Sequence, residues 1–362
     1  MANWTKLKCA CMAVVAAGAT QGQAPYPLKD AVECTVRGGL PNLATKLAAG
    51  ADLKIGYLGG SITAQPGWRP QTLAWFAASY PQAKLSEINA AIGGTGSDLG
   101  VFRLNQDVLQ HKPDLLFVEF AVNDGGAQPE HIIRAMEGIV RQTWRADPTT
   151  DICFVYTLTQ GMVKELQDGK MPRAASVMED VADAYGIPSI HMGLRVAQMA
   201  AEKKVVFQDM EDQSAEVRKT AMEAGVYHFS RDGVHPYTDT GHILYLQAVE
   251  RAMKQILPAA KPGPHALATP LRADNWEDAK MVPLSKAQLS PEWQRCDPAT
   301  DGNARAFANR LPELWLTDTP GASVHFRFKG TVVKIYDLLG PQCGAVHVTV
   351  DGKDVGTRDR FD

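Results

Sequence analysis

The chain has 362 residues, 45% hydrophobic and 21% charged, which is enough apolar material for a substantial core and too much for a disordered polymer. With 37 basic against 40 acidic side chains the formal net charge is −3, so there is no overall cationic excess to draw it to nucleic acid. The length accommodates one large domain and a smaller one.

Residues 1–24 carry Lys6 and Lys8 without an acid, then an apolar run from Cys9 to Ala17, then the small residues Ala17-Gly18-Ala19. This is the layout of a secretory leader, with cleavage expected near Ala19 or Ala24 and a secreted or periplasmic product; a buried N-terminal helix is the competing reading. The run is too short to serve as a permanent membrane anchor. Cys9 and Cys11 would leave with the leader, and Cys34, Cys153, Cys296 and Cys343 would stay. None forms a CxxC pair, so no zinc site is suggested. Cys153 lies in the apolar run Ile152 to Tyr156 and reads as a small buried hydrophobe, while spacing leaves a bridge among the other three open.

From about Asp52, short β-rich runs alternate with longer amphipathic stretches, the pattern of parallel strands joined by crossover helices, hence an α/β layered domain. Strands are expected at Leu53 to Leu58, Lys84 to Asn89, Leu115 to Ala121, Ile152 to Thr157 and Ile187 to Ile190, the second with the weakest pattern. Helices are expected at Arg69 to Ser79, Leu99 to Gln110, Pro129 to Arg145, Arg173 to Ala184 and Gly241 to Ile256. Pro258, Pro262, Pro264 and Pro270 then break the pattern. They mark a linker and a boundary near residue 260, dividing a 25–260 domain from a β-rich 261–362 module. In that module Ser323 to Phe328, Val332 to Leu338 and Ala345 to Val350 read as strands, and Asp351-Gly352 as a hairpin turn. Three strands leave one face of a sandwich uncovered, so the module is either incomplete or completed by residues from 265 to 320.

Four segments carry groups suited to chemistry. Gly59-Gly60-Ser61-Ile62-Thr63 leaves the first strand, and its glycines let the backbone turn sharply and put Ser61 at a strand end, where ligands meet an α/β sheet. Asn89 to Ser97 contains Gly93-Gly94, which can present a backbone amide without an intruding side chain. Val122-Asn123-Asp124-Gly125 ends the third strand and offers the Asn123 amide, a donor that does not titrate. Ser230 to Pro236 holds Asp232 and His235, three apart across Gly233, so the carboxylate can reach round to the imidazole. Each segment taken singly is also an ordinary turn or helix cap. A phosphate loop lacks its lysine, and a metal set of His228, Asp232 and His235 is short of ligands.

Together, in this order and at these strand ends, the segments resemble the four blocks of SGNH/GDSL hydrolases, over about residues 50 to 257. The resemblance implies a flavodoxin-like three-layer αβα sandwich with a parallel sheet. It also implies Ser61 as nucleophile, Asp232 and His235 as its base pair, and an oxyanion hole of Ser61, Gly94 and Asn123, with no metal or organic cofactor. The first block departs from the family in reading Gly-Gly-Ser-Ile, so Gly60 stands where an aspartate is usual and the local support of Ser61 is left open. The C-terminal module resembles the opening strands of jelly-roll modules found beside some carbohydrate esterases.

Export and such a module point to removal of small acyl groups, acetyl above all, from a polysaccharide or oligosaccharide, with no nucleic acid and no stable membrane anchor among its partners. A lipase, lysophospholipase or thioesterase is the alternative within the same family, and a non-catalytic glycan-binding protein the alternative outside it. The polar stretch Glu202 to Arg231 favours a sugar over a lipid. Gln65, Gly67, Trp68 and Arg69 follow Ser61 closely. Trp68 offers a face for a sugar ring and Arg69 a fork of donors; packing of Trp68 in the core and capping by Arg69 is the competing reading.

Overall fold

The computed structural model describes residues 8–14, 26–258 and 261–360; the cleavage sites considered above, Ala19 and Ala24, lie outside them. The chain forms two compact units, Ala24–Met281 and a second made of Met1–Gln23 with Val282–Asp362. Strand β1 (Lys8–Val14) belongs to the second unit.

The larger unit is built on a six-stranded sheet. Its members are β2 (Cys34–Thr35), β3 (Asp52–Gly59), β4 (Lys84–Ala91), β5 (Leu115–Glu119), β6 (Asp151–Tyr156) and β7 (Ser189–His191), in the order β2-β7-β6-β5-β3-β4. β2 is antiparallel to β7 and every other pair is parallel. Among the parallel strands, chain order maps to 2-1-3-4-5, the flavodoxin-like arrangement, whose connections reverse direction between β3 and β5. The central strands β5 and β6 are buried along their whole length, as strands covered by helices on both faces must be, and this is why they read as unbroken apolar runs. β4 lies at the sheet edge with most residues exposed or half-buried, which accounts for its weak signal.

Helices α3 (Trp68–Ser79), α4 (Ser97–Asp107), α5 (Pro129–Ala146), α7 (Arg173–Tyr185) and α10 (Gly241–Ile256) match the expected ones to within a few residues. α10 turns Leu244, Tyr245, Ala248, Val249, Ala252, Met253 and Ile256 into the core, a stripe at helical spacing. α1 (Pro41–Ala48), α2 (Ser61–Ala64), α6 (Val163–Gln167), α8 (Leu194–Ala201) and α9 (Ala215–Glu223) were not expected. Four of the five are shorter than nine residues, so periodicity has too few turns to register. A two-stranded parallel ribbon of β8 (Val205–Gln208) and β9 (Tyr227–Ser230) leads into the loop before α10.

The proline-rich stretch does not end the unit near residue 260. His265 stacks on Trp144 with ring centroids 4.7 Å apart, and its Nε2 lies 2.7 Å from Asp151 Oδ1. The backbone N–H groups of Leu271 and Arg272 donate to the Glu137 carboxylate. Prolines prevent a helix here, but backbone N–H groups find the Glu137 carboxylate on α5 and the His265 ring finds Asp151 on β6, so the stretch packs as a strap and the compact unit runs to Met281.

In the smaller unit, β14 (Val333–Leu339), β15 (Ala345–Val350) and β16 (Lys353–Asp359) are the long strands, and β15 and β16 form a hairpin through Asp351 and Gly352, both with positive φ. Short pairs tie Gln288–Leu289 to Val324–His325 and Gln294–Arg295 to Trp315–Leu316, so residues between 265 and 320 do contribute strands. β1 pairs antiparallel with β14 along seven residues. These residues overlap the apolar run read as a leader, and cleavage after it would remove this strand. Cys34, Cys153, Cys296 and Cys343 are all free thiols.

One buried titratable group sets an acid limit on stability. His191, at the end of β7, is 1% exposed, and burial lowers its pKa from 6.5 to about 4. Between these values the unfolded chain binds a proton that the folded chain excludes, so stability is full above pH 6.5 and falls as pH drops toward 4. We expect a loss of about 1.4 kcal/mol per pH unit in that window from this group. Urea titrations of wild type and His191→Leu at pH 7 and pH 5 check this: equal pH dependence in both would rule His191 out as the cause.

Candidate active site

Ser61 opens α2 immediately after β3, and Asn123 opens a 3-10 turn after β5 (Asn123–Gly126). Both therefore stand at the carboxyl ends of the two strands that flank the topological switch, where open α/β sheets bind ligands. The glycines before Ser61 answer to close approach. A Cβ on Gly59 would lie 2.8 Å from Thr63 Oγ1, and one on Gly60 would lie 2.0 Å from Asn123 Oδ1. The position that carries aspartate elsewhere in the family is thus filled here by the Asn123 side chain.

The glycine loop runs beside this turn. Ile92 N–H donates to Gly59 O at 3.0 Å, and a Cβ on Gly93 would come within 3.3 Å of Ser61 Cβ. Gly94 has φ +76° and is exposed, with open space where a side chain would stand. The loop ends at α4, where Ser97 N–H donates to Asp124 Oδ1 at 3.0 Å. Burial raises the Asp124 pKa to about 7, against lowering by the Ser97 hydrogen bonds. One short segment, residues 119–124, thereby touches both the Ser61 turn and the glycine loop.

The fourth block brings its two side chains to the same place. His235 Nε2 is 2.8 Å from Ser61 Oγ, and His235 Nδ1 is 2.6 Å from Asp232 Oδ2. Gly233, at φ +76°, makes the turn between them, and a Cβ there would meet Gln208 Oε1 at 2.9 Å. Asp232 Oδ1 accepts from the backbone N–H groups of Val234 and His235 and from the Ser230 hydroxyl. Partial burial pushes its carboxyl up, but the His235 ring and these donors outweigh it and hold Asp232 well below the usual carboxylate range. An ionised Asp232 accepts from Nδ1–H, which leaves Nε2 free to accept from the Ser61 hydroxyl. His228 is not part of the set, since its Nδ1 bonds Asp209 Oδ1 at 2.6 Å. Among the described residues no group of three His, Cys, Asp or Glu side chains is arranged to hold a metal ion.

Trp68 and Arg69 do not line a mouth. Trp68 is fully buried, edge-on to Tyr57 and Phe117 at 5.4 and 5.7 Å, and its backbone N–H donates to His242 Nδ1 at 3.0 Å. Arg69 is 6% exposed, donating from Nε to Thr63 O at 3.1 Å and from Nη1 to Glu87. The chain turns inward at Gly67, where a Cβ would overlap the His242 ring, and this sends Trp68 under the sheet. Trp68→Ala is therefore expected to cost about 3–5 kcal/mol of stability through the cavity left behind, measured by denaturant unfolding, with the Ser61–His235 chemistry intact in whatever fraction stays folded.

The surface beside His235 is instead a cleft of about 470 Å³ lined by Gln65, Arg218, Arg231, Tyr237, Thr238 and Asp239 among others. Gln65 was singled out in the sequence; the rest were not. Arg218 stacks 4.2 Å above the Tyr237 ring and pairs with Asp239, and Arg231 donates to Asp209 O at 3.1 Å. No spacing rule points to them, because they come from α9 and from both sides of His235.

Residues 57–242 match the GDSL-like lipase/acylhydrolase family, and the chain belongs to that family of carboxylic ester hydrolases. Over 110 residues it is 36% identical to the thioesterase 1/protease 1/lysophospholipase L1 of Escherichia coli K12, an overlap of 29% of this chain and 51% of that protein. Among solved structures it resembles a two-domain esterase active on acetylated mannans, co-crystallised with mannopentaose. That match has a TM-score of 0.54 and 22% identity, covering 76% of this chain and 65% of the other. A second structure of a two-domain esterase active on acetylated mannans gives 0.53 and 22%, covering 72% and 64%. The chain thus spans about half the length of the curated relative and just under two thirds of the solved esterases.

Proposed function

We propose that this protein is a serine esterase that removes acetyl groups from a polysaccharide or oligosaccharide through an acyl-enzyme. The 2.8 Å contact between Ser61 Oγ and His235 Nε2 carries the chemical part of the reading. In this scheme Oγ attacks the ester carbonyl carbon while Nε2 takes its proton, and Asp232 stabilises the imidazolium. The tetrahedral oxyanion is met by the N–H groups of Ser61 and Gly94 and by Asn123 Nδ2. Collapse breaks the bond to the sugar oxygen, which receives the proton from His235. Water, deprotonated by the same nitrogen, then releases acetate and restores Ser61.

The polar cleft supports a sugar as the alcohol portion: Gln65, Arg218, Arg231, Thr238 and Asp239 suit hydroxyl groups better than an acyl chain. The fold shared with esterases that act on acetylated mannans agrees with it. Export, suggested by the basic and apolar residues before Ala19, would deliver the enzyme to such polymers. The similarity to a thioesterase and lysophospholipase favours a second reading, a thioester or lysolipid substrate. Acetate release from acetylated mannan, xylan, pectin and algal polymers, run beside acyl-CoA and lysophospholipid hydrolysis, separates the two. Turnover of the last pair alone would replace the carbohydrate reading.

A further inference from the structure

The nucleophile turn rests on a buried acid that no block of the family resemblance includes. Glu119, the last residue of β5, is 1% exposed. Its Oε2 accepts from the Thr63 hydroxyl at 2.9 Å and its Oε1 from the Thr157 hydroxyl at 2.8 Å. The backbone N–H of Gly60 is a third partner. Glu119 thus joins the ends of β3, β5 and β6 through Gly60 and Thr63, residues on either side of Ser61, and through Thr157. Thr63 is itself fully buried, and its carbonyl is held by Arg69 Nε at 3.1 Å.

Burying a carboxyl group with neutral partners is costly. Desolvation raises its pKa against lowering by the Thr157, Thr63 and Gly60 hydrogen bonds. An apolar residue at this place, between the fully buried Val118 and Phe120, would spare that cost, so packing alone does not call for an acid. What the acid adds is two bonds to the turn that carries Ser61 and a third to Thr157 after β6, in a chain where Gly60 leaves no room for an acid on the turn itself.

We propose that Glu119 is the positioning residue of the nucleophile. By holding the Gly60 N–H and the Thr63 hydroxyl, it fixes the turn so that Ser61 Oγ faces His235 while Ser61 N–H faces the developing oxyanion. From the end of the central strand β5 it takes the part left open by the missing aspartate. The inference rests on Ser61 being the nucleophile.

The test uses Glu119→Gln, Thr63→Val and Ser61→Ala in the full chain. Each is assayed for kcat and KM on p-nitrophenyl acetate, for the rate of labelling by a fluorophosphonate, and for Tm. Glu119→Gln is expected to lower kcat and the labelling rate by about 10- to 100-fold, the scale of a misplacement of up to about 1 Å, with KM unchanged. Thr63→Val, which keeps the shape and removes one bond, is expected to lower both by about 5-fold. Full kcat in Glu119→Gln, or a change in KM alone, would overturn the proposal while leaving the esterase reading standing. If Glu119→Gln fails to fold, Thr63→Val decides: full kcat there overturns the proposal too. Turnover surviving in Ser61→Ala would instead remove the nucleophile assignment on which both depend.

Discussion

Replacing His235 by alanine is expected to lower kcat on an aryl acetate by about 10⁴- to 10⁶-fold with little change in Tm. The imidazole is the only group within hydrogen-bond reach of Ser61 Oγ among the described residues, so its loss leaves a serine hydroxyl with no base. Its side chain is 37% exposed, so truncating it removes little buried packing. Asp232→Asn is expected to cost somewhat less, about 10³- to 10⁴-fold, because the amide no longer stabilises the imidazolium and can present a donor to Nδ1. Circular dichroism and fluorophosphonate labelling of both variants separate lost chemistry from lost fold. Near wild-type kcat in a folded His235→Ala enzyme would show that another group removes the proton.

Asn123→Ala is expected to lower kcat by about 10²- to 10³-fold with a small change in KM, the scale of one lost oxyanion donor. In the proposed mechanism the amide meets charge that exists only once the carbonyl is attacked, so its contribution belongs to the transition state. The packing against Gly60 gives a second way to test it. Gly60→Asp would restore the residue usual in the family, yet its Cβ would fall 2.0 Å from Asn123 Oδ1. It is therefore expected to displace the amide and to resemble Asn123→Ala in kcat. A Gly60→Asp enzyme with full kcat would mean that Asn123 is not held where the oxyanion forms. A rise in KM with kcat preserved in Asn123→Ala would make it a substrate-binding residue.

Most of the α/β unit was legible in the sequence, and each miss has a local cause. β5 and β6 are recognisable because burial on both faces demands unbroken apolar runs. α9 escaped notice because none of its residues is buried, leaving no apolar stripe to read. The proline-rich stretch 261–281 has the composition of a linker and the hydrogen bonding of a strap, and composition reports only the former. Glu119 was visible as one charge in an apolar run, but nothing in the run says that a threonine from α2 and another just after β6 donate to it.

The sequence by itself picked out the candidate reactive groups and their order: Ser61, Gly94, Asn123, then Asp232 with His235. Each sits at a turn whose glycines and polar residues are local signals, and the last two are close enough in the chain to meet through one turn. Only the tertiary structure decided what surrounds them. Ser61 and His235 are 174 residues apart and meet because the loop between β9 and α10 packs against the carboxyl end of β3. Trp68 lies seven positions after Ser61 and is nonetheless core, since the turn at Gly67 under His242 reverses the chain inward. Arg218 and Arg231, distant in sequence from Ser61, reach the cleft instead. Sequence distance measures the path along the chain, whereas a substrate meets the surface that packing leaves exposed.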